Sequence, residues 1–126
     1  MGLAVTQALH GQVALVTGGG RGIGRGIALA FAEEGAAVSV MSRSLPELAE
    51  TVALIESAGG RALAVTGDVT SRSDVDSVFA STEQTLGPVD ILVSNAGITG
   101  PFAPISEADP EEWWRTQEVC TSRAPF

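Results

Sequence analysis

The chain has 126 residues, 44% of them hydrophobic, and a formal net charge of −8 at pH 7. That length suits one compact domain with a sizeable core, and the acidic balance argues against a nucleic-acid partner, because no broad basic surface is there to neutralise phosphates. With no run of about 18 apolar residues to span a bilayer and a single cysteine, Cys120, no membrane partner or intramolecular disulfide is expected, and the protein reads as cytoplasmic.

Met1 to His10 carries no strong pattern and resembles no signal peptide, so it reads as a leader with His10 at its surface. Val13 to Val16 is a continuous apolar run closed by Thr17 and three glycines, the pattern of a buried parallel strand. Gly22 to Glu34 follows as a helix, with Ile23, Ile27, Ala30 and Phe31 at helical spacing. Ala36 to Met41 is a second strand. Ser44-Leu45-Pro46-Glu47 opens a second helix, with Ser44 at the N-cap and Pro in the first turn, and Gly59-Gly60 stops it after about Ala58.

Arg61 to Thr66 predicts a third strand, and Ser71 or Ser73 caps a third helix through about Leu86 with Val75, Val78 and Phe79 on one face. Gly87-Pro88 breaks it. Val89 to Val93 is a fourth strand, residues 95–108 a loop, and Pro110 onward a fourth helix holding Trp113 and Trp114. Strict alternation of strand and helix, without repeats or linkers, predicts an α/β fold with a doubly wound parallel sheet. Right-handed crossovers give the strand order 3-2-1-4, with helices on both faces. Strand 4 would ordinarily lie inside a larger sheet, so its exposed edge is expected to favour self-association.

Thr17-Gly18-Gly19-Gly20-Arg21-Gly22-Ile23-Gly24 joins the first strand to the first helix. Glycines there remove Cβ atoms so that main chain approaches a pyrophosphate, while the helix N-terminus offers N–H groups and partial positive charge. A strict G-x-G-x-x-G is not present, since residue 27 is Ile, and a P-loop would need a Gly-Lys pair. The segment matches T-G-x-x-x-G-I-G, and the chain resembles the short-chain dehydrogenase/reductase family. Asp68-Val69 after the third strand resembles the family's adenine-contacting pair, although the same Asp equally suits an Asx turn or N-cap. Asn95-Ala96-Gly97 resembles its N-A-G motif near the nicotinamide ribose, with Ser94 replacing the Asn more often found before it, and Trp113 matches a tryptophan common in its fourth helix.

The resemblance runs from about Gly11 to Glu118 and implies a Rossmann-type NAD(P)-binding domain over 11–126, with a dinucleotide cofactor as partner. It implies cofactor contacts at Thr17, Gly18, Gly20, Arg21, Gly22, Ile23, Gly24, Ser42, Arg43, Asp68, Val69, Asn95, Ala96 and Gly97. A ribose with a free 2′-OH is usually held by an acid at the end of the second strand. Here Ser42 is neutral and Arg43 follows, and a guanidinium suits a 2′-phosphate because its forked donors take phosphate oxygens in pairs. Arg21 offers a second cation. NADP(H) is therefore expected over NAD(H).

The family's chemistry is hydride transfer between NAD(P)(H) and an alcohol or carbonyl. A Tyr serves as general acid/base, a Lys four residues later lowers its pKa, a Ser orients the substrate and a helix-four Asn supports a proton relay. All seven basic residues of this chain are Arg (21, 25, 43, 61, 72, 115 and 123), and there is no Tyr. After Gln117-Glu118 the family's Val-Asn is replaced by Val119-Cys120-Thr121-Ser122, and Arg123 to Phe126 resumes the pattern about one residue late. Cys120 reads as an inert packing residue. No catalytic or metal-binding residue is assigned, and the chain is expected to be the cofactor-binding portion of a sheet cut short after about four strands, inactive alone. Two alternatives are a non-catalytic NADP(H)-binding module and one piece of a split enzyme completed by a partner. Full-length relatives are expected to be homo-oligomers.

Overall fold

A computed structural model describes residues 7–97, 104 and 106–121, with the side chains of Cys120 and Thr121 excepted. The start of the expected leader, most of the loop between 98 and 105, the Cys120 side chain and the altered segment Ser122 to Phe126 lie outside the described residues. The elements run β1 (Val13–Thr17), α1 (Gly22–Glu33), β2 (Ala37–Ser42), α2 (Leu45–Ser57), β3 (Ala62–Thr66), α3 (Arg72–Thr85), β4 (Ile91–Val93) and α4 (Pro110–Thr121). All four strands are parallel, in the order β3-β2-β1-β4.

The two central strands explain the continuous apolar runs of the sequence. β1 is buried throughout, and β2 from Ala37 to Met41, because helices cover both faces of the sheet. Val16, Val38 and Val40 face one way, into a core closed by Ala28 of α1 and by Leu48 and Ile55 of α2. Leu15 and Met41 face the other way, against Val75 and Val78 of α3. On that side the buried Ser39 hydroxyl accepts a hydrogen bond from Thr82 at 2.8 Å, so the polar residue inside β2 is matched from α3. The outer strands β3 and β4 are only half-buried.

The structure corrects several expected boundaries and faces. α1 turns Gly24, Ile27, Ala28 and Phe31 inward, while Ile23 is 76% exposed and Ala30 is exposed. Counting apolar side chains misplaced this face because a glycine occupies the point of closest approach. β4 begins two residues later than expected. The Asp90 N–H donates to the Val13 carbonyl (2.8 Å), and its carboxylate accepts from the Val13 N–H (2.9 Å), so a side chain opens the pairing that main chain then continues. Ser44 occupies the N-cap position of α2 without a side-chain capping bond. Of the two candidate caps of α3, Ser71 does the work, accepting from the Asp74 N–H at 3.3 Å.

These caps give a direct comparison. Ser71→Ala is expected to lower stability by about 1 kcal/mol, whereas Ser44→Ala removes no capping bond and is expected to leave it nearly unchanged. Urea unfolding of the two variants checks the difference.

Candidate functional site

The chain passes from β1 through α1 to β2 on one side of the sheet, and later crosses from β3 through α3 to β4 on the other. The C-terminal ends of β1 and β4 thus flank the topological switch point, where open α/β sheets bind ligands. A cleft of about 360 Å³ lies at these strand ends. Gly18, Gly20, Arg21 and Gly22 line it from the first turn, Ser42, Arg43, Ser44 and Glu47 from the β2–α2 junction, Gly67, Asp68 and Val69 from the turn after β3, and Asn95, Ala96 and Gly97 from the segment after β4. Met41 and Val119 complete it. Of the sequence-predicted residues, Thr17 and Gly24 stand behind this lining and Ile23 outside it.

The glycines differ in what they do. Gly18 and Gly22 have φ of 66° and 58°, in the left-handed region that favours glycine. At Gly24 a Cβ would collide with the Gly18 carbonyl oxygen and come within 2.6 Å of Asn95 Nδ2, so α1 packs on the end of β1 at a separation only glycine permits. The Gly18 and Gly19 N–H groups donate to the Met41 carbonyl (2.8 and 3.3 Å). Beyond them α1 opens with Arg21 at its N-cap, no side-chain cap and no acid in its first turn, in contrast to the capped α3. An uncapped helix end at the mouth of a polar cleft presents N–H groups and a partial positive charge to an anion.

Thr17 is fully buried and acts as a bracket. Its Oγ1 accepts from the N–H groups of Asn95 (2.9 Å) and Ala96 (3.1 Å) and donates to the Val93 carbonyl (3.3 Å), while Asn95 Nδ2 donates to the Gly18 carbonyl (3.3 Å). The N-A-G segment and the glycine turn are thereby joined across the switch point. On the opposite side sequence reasoning missed two residues, Arg25 and Thr51. Arg25 Nε donates to Thr51 Oγ1 (3.0 Å), and its guanidinium also donates to the carbonyls of Gly20 and Glu47. Thr51, buried in α2, donates to the Gly19 carbonyl at 2.8 Å. Nothing in the local pattern marks this link, because it joins residues 26 positions apart that become neighbours only once α1 and α2 pack.

Ser42 Oγ accepts from the Ser44 N–H at 3.2 Å, which shapes the turn carrying the exposed Arg43. Arg21 stands 3.6 Å from the Glu47 carboxylate, so the second expected cation is already matched by an acid of the same cleft. Asp68 adopts the Asx turn that its sequence context allowed, and it still lines the cleft. Its Oδ1 accepts from the hydroxyl (2.7 Å) and N–H (2.9 Å) of Thr70. These two bonds, side chain first, hold its pKa below the ordinary 3.8; burial opposes them, and the charges of Arg43 and Arg115 assist. Among the described residues no group of three His, Cys, Asp or Glu side chains is placed to hold a metal, and no helix is long and apolar enough to cross a membrane.

Comparison with known proteins agrees with this geometry. The model of the short chain dehydrogenase family matches residues 12–122. A short chain dehydrogenase of Pseudocercospora fijiensis is 41% identical over 119 residues, covering 93% of this chain and 38% of its own. A short-chain dehydrogenase/reductase homologue of Bacillus subtilis is 49% identical over 89 residues, covering 70% of this chain and 82% of its own. A crystal structure of an actinorhodin polyketide ketoreductase variant with NADPH superposes with a TM-score of 0.82 at 37% identity, over 86% of this chain and 41% of that one. The chain belongs to the short-chain dehydrogenase family. It spans less than half the length of the fungal relative and of the ketoreductase.

The close packing at Gly24 and the Asx turn at Asp68 each have a measurable consequence. Gly24→Ala is expected to cost about 3 kcal/mol, since a main-chain carbonyl has nowhere to yield. Gly26→Ala, on the same helix with nothing within 4 Å of the added Cβ, is expected to gain about 0.5–1 kcal/mol; thermal unfolding compares them. The Asp68 carboxyl is expected to titrate below 3.8 by NMR, and Thr70→Val to raise its midpoint. Because the folded-state value is depressed, the stabilisation it contributes is present above the unfolded value and is lost as pH falls through the folded one.

Proposed function

We propose that this chain is the NADP(H)-binding portion of a short-chain dehydrogenase/reductase whose reaction is hydride transfer between the cofactor and an alcohol or carbonyl substrate. The observation that carries the choice of NADP(H) is the end of β2. There the neutral Ser42 is followed by Arg43, which borders the cleft and has no carboxylate within salt-bridge distance among the described residues. Glu47, the acid of the same cleft that would otherwise be available to a ribose hydroxyl, is engaged by Arg21. A 2′-phosphate brings the negative charge that Arg43 lacks, and the NADPH of the ketoreductase neighbour supports the same reading.

The residues present suit the cofactor. Open space around Gly22 leaves room for a pyrophosphate, the α1 N-terminus offers it N–H donors, Asp68 Oδ2 is left to accept from an adenine amine, and Asn95 to Gly97 border the same cleft. The nicotinamide ring, when bound, supplies or takes up the hydride. What this chain does not hold is the proton-transfer partner. A phenol near pKa 10 exchanges protons at neutral pH only when a nearby cation stabilises its anion, and there is neither Tyr nor Lys in the sequence. We therefore assign binding to this chain and no turnover to it alone. Its single cysteine fits the reducing compartment that a cytoplasmic setting provides.

Fluorescence titration with NADPH and NADH tests the reading. NADPH is expected to bind more tightly by roughly ten- to hundredfold, the worth of a charged hydrogen bond. Arg43→Ala is expected to remove that preference while leaving NADH affinity in place, and equal affinity for both cofactors in the wild-type chain would dismiss Arg43. Incubation with NADPH and a panel of carbonyl compounds is expected to leave the absorbance of the reduced cofactor unchanged.

A further inference from the structure

We propose that Arg25 of α1 and Thr51 of α2 are positioning residues for the pyrophosphate loop, forming a tie across the contact of the two helices that aims the loop's N–H groups at the cofactor. The inference rests on the cofactor reading above and adds residues that touch no cofactor themselves. Thr51 is 0% exposed and donates to the Gly19 carbonyl at 2.8 Å. Arg25, its side chain 22% exposed, donates to the Gly20 carbonyl and to Thr51 Oγ1, and is held in turn by the Glu47 carbonyl (3.2 Å) and the Glu50 carboxylate (3.4 Å). Two successive carbonyls of the glycine turn are thus pulled into the contact between α1 and α2.

A trans peptide unit is planar, with its C=O and N–H pointing in opposite directions. Holding the Gly19 carbonyl on Thr51 therefore turns the Gly20 N–H away from the helix contact, and holding the Gly20 carbonyl on Arg25 does the same for the Arg21 N–H. Neither N–H has a hydrogen bond of good geometry to the described residues, although those of Gly18 and Gly19 are both engaged with Met41. The turn thus divides into a half anchored on β2 through its amides and a half anchored through its carbonyls on Thr51 of α2 and Arg25 of α1. The second half keeps its donors for the ligand. Preorganised donors bind without the cost of ordering them on association. Because Arg25 also grips the carbonyl of Glu47, the same tie fixes the first turn of α2, whose Glu47 pairs with Arg21.

The test uses Thr51→Val, Thr51→Ser and Arg25→Met in the full chain. NADPH affinity is expected to fall about tenfold in Thr51→Val and Arg25→Met, the worth of a lost hydrogen bond to the loop, and to return to within about twofold of wild type in Thr51→Ser. In the ligand-free chain the NMR resonances of the Gly20 and Arg21 amides are expected to move in Thr51→Val and Arg25→Met and to stay in place in Thr51→Ser. Unchanged amide resonances, or wild-type affinity in Arg25→Met, would overturn the tie, and Arg25→Met decides the matter if Thr51→Val does not fold. Failure of the wild-type chain to bind NADPH would overturn the cofactor reading instead, and the ligand-free resonances would still report on the tie.

Discussion

Helix α1 meets the end of β1 so closely that no Cβ fits between Gly24 and the Gly18 carbonyl. This approach sets where the helix N-terminus lies, and with it where an anion can be held. A helix packed at an ordinary distance would carry its first N–H groups away from the strand end, and the turn would become an ordinary connection. Gly24 is thus a packing residue with a chemical consequence. Gly22, by contrast, has open space around it, and its φ of 58° rather than its neighbours explains its identity.

Around that contact the cleft is assembled from turns that are far apart in sequence and share only their position at the C-terminal ends of parallel strands. Topology brings them together, and a few hydroxyls fix them. Thr17 binds the segment after β4 to the first turn, Ser42 shapes the turn before α2, Thr70 sets Asp68 and Thr51 holds Gly19. Short β-branched or unbranched hydroxyl side chains suit this work, since each lies close to its own main chain and bonds nearby carbonyls and amides with little loss of rotamer freedom.

Much of the fold was legible because each of its elements repeats one physical pattern. The apolar runs at Val13 to Val16 and Ala36 to Met41 mark strands covered on both faces, and Gly59-Gly60 and Gly87-Pro88 mark stops. The strand order followed from the handedness of crossovers and is the order observed. The cleft lining was legible too, since most of the residues named from the glycine turn, Ser42-Arg43, Asp68-Val69 and Asn95 to Gly97 meet there. The inward face of α1 was not, because hydrophobicity is blind to a glycine selected for closeness. Nor was the start of β4, where Asp90 opens the pairing through a carboxylate. The Arg25–Thr51 link and the Arg21–Glu47 ion pair arise from the packing of two helices, which no local periodicity encodes.

The hydroxyl of Thr17 leads to a mechanical conclusion. By taking two main-chain donors and giving its own proton to the Val93 carbonyl, it rivets the two arms of the sheet together at the point where a wedge would part them. The floor of the cleft at this seam is therefore a single pinned joint, and the walls bearing Arg43 and Val119 of α4 lie outside its reach.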